Sequence, residues 1–227
     1  MGTRKSPLAN GLFYHVFSRS IAKFIVFNNE NEYSRLLKLL GLYRYANFNH
    51  KYSGFIKLGA RMQQEIVNKM QKENHVLLEV VAFCIMPTHI HLLLKQATDN
   101  GISKYINRTL NSYTRCFNKK HRRAGPLWES RFKSIPVPDD EQLLHLTRYI
   151  HLNPTSADLV KRPEDWQFSS YGEYINHSST KNKKHLCDFR KVIDLTPKQY
   201  KKFVNDRKSY QRELSLIKST LIDSYTG

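Results

Sequence analysis

Acidic residues are few in this chain beside its basic ones. Its 227 residues carry 19 Asp and Glu against 37 Lys and Arg, a formal charge of +18 and a pI near 9.8. Such a surface attracts polyanions, and nucleic acid is the default partner of a soluble chain so charged. Cysteine is scarcer still. Cys84, Cys116 and Cys187 are odd in number and form no CxxC pair, which excludes a disulfide framework and a cysteine zinc site and suits a reducing cytosol. HExxH is missing too. No apolar run reaches the ~20 residues a bilayer span needs. The opening "MGTRKSPLANGLFYHV" has charges but neither h-region nor cleavage site. Internal repeats and low-complexity tracts are absent. The expectation is a cytoplasmic protein with no membrane partner.

What is present suits a folded domain: 40% of residues are hydrophobic and 12% aromatic, enough for one sizeable core with a small appendage. Residues 12–18 are β-prone. Tyr33, Leu36, Leu37, Leu40 and Tyr43 recur at helical spacing within 29–47. Residues 48–75 read as an inserted element containing a short amphipathic helix. Two strands follow at 76–86 and 88–96, with Pro87 at a tight turn between them. A long helix is expected at 101–121, a fourth strand at 131–137, and a helix at 139–153 capped by Asp139 or Asp140 and stopped by Pro154. This order predicts an α+β fold, ferredoxin-like or RRM-like, with helices packed on one face of an antiparallel sheet and an extra helix packed on it. The composition turns polar after residue 176. We therefore expect a main domain over 1–176, with 48–75 inserted, and a basic, small helical C-terminal tail over 177–227.

The stretch "CIMPTHIHLLLK" sets His89 and His91 on one face of an apolar strand, roughly 7 Å apart along it. Two readings are open. They are core histidines, each bonded to a carbonyl, or they converge on one cation as neutral imidazoles. Further ligands would have to come from elsewhere. The cleanest candidate is "LLHLTRYIHLNP", where Tyr149 and Asn153 stand at i and i+4 on one helical face. An amide oxygen beside two imidazoles makes an open site suited to Mg²⁺ or Mn²⁺. A tyrosine one turn away is positioned to attack whatever that metal polarises.

Four segments in order, "MPTHIHLLL", "GPLWESRFKS", "RYIHLNP" and "EDWQFSSYGEY", resemble the HUH single-tyrosine transposases, most of all their REP-associated tyrosine transposase branch. The resemblance covers most of residues 11–176. It implies that His89, His91 and Asn153 are metal ligands and that Tyr149 cuts single-stranded or hairpin DNA of palindromic repeats. The products would be a 5′-phosphotyrosine link and a free 3′-OH, with no ATP or organic cofactor. It further implies a bacterial-type, nucleoid-associated protein, monomeric or homodimeric.

Other residues compete for roles. Tyr113 sits among basic residues but lies on an apolar stripe, with Phe117 rather than a ligand at i+4. His145, at i−4 from Tyr149, is a possible assisting group or a bystander. His151 is turned about 200° from Tyr149 and reads as no ligand. Glu129 would approach the metal or pair with Arg131. Trp128, Arg131 and Phe132 fit either DNA stacking or the core. Residues 101–134 hold nine Lys and Arg against the single acid Glu129. From these we expect DNA-phosphate contacts at Lys104, Arg108, Arg115, Lys119, Arg122, Arg123, Arg131 and Lys133. Two alternatives stand beside the transposase reading: a non-catalytic or domesticated RRM-like DNA- or RNA-binding module, and a replication initiator of the same chemistry.

Overall fold

The apolar runs of the two middle strands lack alternation, and that decides the architecture. Nearly every residue of "LEVVAFCIM" and "HIHLLLKQ" is buried, so these strands need cover on both faces. The computed structural model describes residues 7–176 and 185–206. It contains β1 (Phe13–Arg19), α1 (Glu30–Tyr43), α2 (Tyr52–Phe55), α3 (Ala60–Glu73), β2 (Leu78–Met86), β3 (His89–Gln96), α4 (Gly101–Lys120), β4 (Lys133–Val137), α5 (Asp140–Ser156), α6 (Tyr171–Ile175) and α7 (Pro197–Asn205). The sheet is antiparallel throughout, in the order β2-β3-β1-β4, which gives the expected α+β class.

Pairing register assigns the faces. His15, Phe17 and Arg19 of β1 share a face with Leu93, His91 and His89 of β3, and Tyr14, Val16 and Ser18 share the other with Leu94, Leu92 and Ile90. The α1–α4 pair covers the second face, where Gln96 Oε1 accepts the Ile102 N–H at the start of α4. Gly101 is required there, because a Cβ would collide with the Leu77 carbonyl. The extra helix, α5, covers the histidine face. Helices therefore lie on both sides of the sheet rather than on one.

Local signals fixed most element ends. Asn29 caps α1 by accepting the Glu32 N–H, and Asp139 caps α5 by accepting that of Gln142. Pro154 does not stop α5, which runs on to Ser156 with this proline inside its last turn. A missing N–H there costs a single bond to the Ile150 carbonyl, and burial of the Pro154 ring offsets it. The inserted element forms α2, which buries Tyr52 and Phe55, and α3, which buries only Met70.

The expected domain boundary falls at residues 177–184, outside the described residues, as does the tail beyond 206. What is described of the tail joins the main core. Asp188 N–H donates to the Val80 carbonyl at 2.7 Å, and Arg44 donates to the Leu186 carbonyl and to Asp188. On α5, the Arg148 side chain is fully buried; it donates to the Phe203 carbonyl at 2.9 Å and lies over the Phe203 ring. A directed chain of hydrogen bonds completes the docking. Tyr200 donates to Thr147 (2.8 Å), so its oxygen accepts from His151 Nδ1 (2.7 Å), and His151 Nε2 accepts from Ser170 (2.7 Å).

That chain requires a neutral His151, and burial lowers its pKa to about 3. The unfolded imidazole binds its proton near 6.5, so the contribution to stability is complete above that pH and declines as pH falls toward 3. We expect a loss of about 1.4 kcal/mol per pH unit from this one group. Urea unfolding of wild type and His151→Gln at pH 6 and pH 5 checks it: the variant should be less stable at both and lose about one proton's worth less between them.

Candidate active site

Antiparallel pairing gathers side chains at the end of the sheet where β3 begins. Arg19 stands opposite His89, Phe17 opposite His91, and Lys133 of β4 opposite Phe17. His15, diagonal to His91 on the same face, brings in a third imidazole. Its Nε2 lies 3.0 Å from His91 Nδ1, and the rings stack at 5.2 Å. His89 Nδ1 lies 2.9 Å from Thr88 Oγ1, and its ring stands perpendicular to His91 at 5.0 Å. Each member of the pair thus uses Nδ1 for bonding within the protein, and Nε2 is the nitrogen left on each.

All three imidazoles are neutral at pH 7. Burial holds His15 at about 3. Burial, with Arg19 adding repulsion, holds His89 at about 4. His91 is pushed well below its ordinary value by burial first, then by His89, His15 and Arg19.

Tyr149 reaches this cluster from α5. Its ring stands edge-on to His91 at 5.7 Å and to His15 at 6.1 Å. Asn153, one turn further on, folds its Nδ2 back onto the Tyr149 carbonyl at 2.9 Å, so Oδ1 is the atom it would offer to a cation. Among the described residues no three His, Cys, Asp or Glu side chains converge on one metal position. The donor set a cation would meet is two neutral imidazoles with the amide oxygen of Asn153 or water. It fits an exchangeable divalent ion and does not fit a closed structural site.

Other expected residues go elsewhere. Tyr113 is buried and donates its hydroxyl to the Val26 carbonyl, a packing role. The contacts of His145 run to the tail side: Nδ1 is 3.1 Å from Arg148 and the ring 5.5 Å from Phe203. Trp128 packs near Phe27 and Tyr113 and donates to Thr114, so it belongs to the core, as does the buried Phe132. Glu129 donates its backbone N–H to the Arg19 carbonyl, and its exposed carboxylate makes no ion pair with Arg131 among the described residues.

The basic helix is split by its own direction. α4 starts beside Gln96 and ends near Val26 and Pro87, so its C-terminal end approaches the histidines. Lys119, Arg122 and Arg123 lie at that end, and Lys104 lies at the far one. Arg108 is also far, and is engaged: it donates to the Phe48 carbonyl and lies 4.8 Å over Tyr43. Arg115 is exposed midway along the last turns, and Arg131 and Lys133 are exposed near β4.

His15 is the functional residue the sequence reading missed. Its signal was a histidine in an apolar strand, "LFYHVFS", but only the β1–β3 register sets it against His91. Long-range ¹⁵N–¹H NMR of the metal-free protein should find that none of His15, His89 and His91 takes up a full proton between pH 8 and pH 5. Half-protonation of any of them above pH 6 would contradict the burial described.

Comparison with known proteins finds relatives of one kind. The family model for IS200-like transposases matches residues 43–153. A Haemophilus influenzae protein described as "Putative REP-associated tyrosine transposase" is 35% identical over 108 residues, which are 43% of this chain and 61% of that protein. The chain thus spans less than two thirds of that relative. A solved structure of a REP-associated tyrosine transposase bound to a REP hairpin superposes with a TM-score of 0.52 at 13% identity, covering 83% of this chain and 98% of that one. At that identity the likeness speaks for the fold. No helix among the described residues is long and apolar enough to cross a membrane. The matched stretch holds the histidine pair, Tyr149 and Asn153 together, and over it the chain is similar to the IS200-like transposases.

Proposed function

We propose that this chain is a DNA-cleaving and joining transposase that acts on single-stranded or hairpin DNA of palindromic, REP-type repeats through Tyr149. The observation that carries the reading is the contact of Tyr149 with His91 across the interface of α5 and the sheet, ring centroids 5.7 Å apart. A purely binding module has no need of a tyrosine held against a neutral histidine pair. The net charge of +18 and the kinship with REP-associated relatives support DNA as the substrate.

The reaction is an exchange at phosphorus. The Tyr149 oxygen attacks in line; the phosphorus–Oη bond forms as the phosphorus–O3′ bond breaks. The phenol gives up its proton and the departing 3′ oxygen gains one, leaving a 5′-phosphotyrosine and a free 3′-OH. Attack by a 3′-OH reverses the step and rejoins a strand, so no bond energy is lost. His89 and His91 through Nε2, with Asn153 Oδ1, would hold Mg²⁺ or Mn²⁺. The ion, when bound, withdraws charge from the non-bridging oxygens. His15 and Thr88 hold the two imidazoles in orientation from behind, a support commonly worth 10–100-fold in metal affinity. Arg19 and Lys133 bring positive charge to the same face.

Tyr149→Phe should abolish covalent attachment to labelled hairpin DNA on a denaturing gel, with melting temperature and DNA affinity nearly unchanged. Tyr113→Phe should keep the adduct. EDTA should suppress cleavage by wild type and Mn²⁺ or Mg²⁺ restore it. An adduct that survives Tyr149→Phe, or full activity in chelator, would overturn the assignment in favour of a binding module or another nucleophile.

The direction of α4 gives a second expectation. Replacing Lys119, Arg122 and Arg123 with Gln should flatten the log–log dependence of single-strand affinity on salt by about two units, at roughly 0.7 per phosphate contact. Lys104→Gln, at the far end, should leave the slope within error. Titrations from low to moderate salt read both, and equal slopes for the two variants would place the DNA track elsewhere.

A further inference from the structure

The loop joining β1 to α1 crosses the end of the sheet at which β3 begins. It is tied on both sides to the turn that leads into His89. Ser20 N–H donates to the Thr88 carbonyl at 2.8 Å and Val26 N–H to the Pro87 carbonyl at 2.9 Å. A third tie, Ile21 N–H to the Leu127 carbonyl at 3.1 Å, fixes it to the segment before β4. Inside these ties Ala22 and Lys23 both take left-handed backbone angles, φ 50° and 55°, which non-glycine residues rarely adopt.

The conformation has a visible result. Val26 and Phe27 go into the core, while Phe24 and Ile25 stay 48% and 50% exposed. The Ser20 hydroxyl donates to the Phe24 carbonyl, and Phe117 braces the Phe24 ring edge-on at 6.1 Å. The Arg123 guanidinium lies 5.9 Å from the ring centroid. Lys23 adjoins the pair in sequence, Lys119 and Arg122 lie at the same end of α4 as Phe117, and the acid at that end, Glu32, is already paired with Lys120 and His121. A rigidly held aromatic ring, half open and flanked by a guanidinium, fits an unpaired nucleotide, whose base stacks and whose phosphate is anionic. A protein partner would want a broader apolar patch than two side chains in so positive a setting.

We propose that Phe24, with Ile25 beside it, is a stacking platform for an unpaired base of the DNA strand next to the phosphate at His89 and His91. The proposal rests on the reading of this chain as a binder of single-stranded DNA but not on cleavage, so its test is run without chemistry. The protein is the full chain carrying Tyr149→Phe, in EDTA. The probes are a dye-labelled hairpin with unpaired flanks on both sides and a fully paired duplex of equal length.

Adding Phe24→Ala should weaken binding of the flanked hairpin about 5- to 150-fold, the range that loss of one base stack gives, and leave duplex affinity unchanged. Phe24→Trp should keep the affinity, and its emission should fall on binding. Placing an abasic site along the flank, one position at a time, should find a position where that quenching is lost. The ring is half exposed, so the melting temperature should hold. Equal loss on hairpin and duplex, no abasic position with an effect, or a change in oligomeric state with DNA affinity intact would overturn the platform. Failure of cleavage alone would not touch these readings, since none of them measures it.

Discussion

The register of β1 against β3 is the constraint on which the rest depends. A slip of one residue would turn His15 away from His91 and move Arg19 to the wrong side of the sheet. It would also drive Tyr14 and Val16, which are buried beneath α1 and α4, onto the face that α5 covers. Core packing and site geometry are therefore specified by one pairing. Tyr14, Val16, Leu92 and Leu94 hold the register from the face opposite the imidazoles, and Phe17 packs against His15 and His91 on their own face. Such a division lets the site carry buried polar groups without losing the fold.

Those polar groups are arranged in two separate sets on either side of α5. On the sheet side are three imidazoles kept neutral by burial, two of them directing a nitrogen outward. On the tail side, His151 sits in a chain of hydroxyls from Ser170 to Thr147, and Arg148 binds the carbonyls at the end of α7. The first set leaves Nε2 open on His89 and His91, whereas in the second both ring nitrogens of His151 are bonded. That contrast separates histidines with a nitrogen to offer from a histidine that is part of the framework.

How much of this could be read in the sequence depended on range. The strand pair around Pro87, the stripe of α1 and the shared face of Tyr149 and Asn153 follow from spacing within a few residues, and the structure has each of them. The role of Tyr113 was legible for the same reason, since its stripe with Ile106 and Phe117 is local. His15, the loop from Ser20 to Phe27, and the far position of Lys104 and Arg108 were not legible. Each depends on which strands neighbour each other and on which way a helix runs across them, and neither is encoded in any short window. Pro154 misled because a proline stops a helix by local rule, whereas here its buried ring helps to seat the last turn. For His145, helical spacing gave a face but not its neighbours, which include the Phe203 ring at 5.5 Å.

The docking of α7 on α5 has a mechanical consequence. Tyr149 lies between Arg148 and His151's neighbour Ile150 on one turn, and both flanking polar side chains are anchored to the tail. Any rotation of α5 about its axis that swung the phenol would have to tear at least one anchor. The helix is torsionally locked, so the tyrosine's travel is confined to its own side-chain torsions, an arc of a few ångströms. With Tyr149 as the proposed nucleophile, a strand to be cut would have to be carried to the phenol, and the accuracy of the cut would be set by how the DNA is held rather than by motion of the protein.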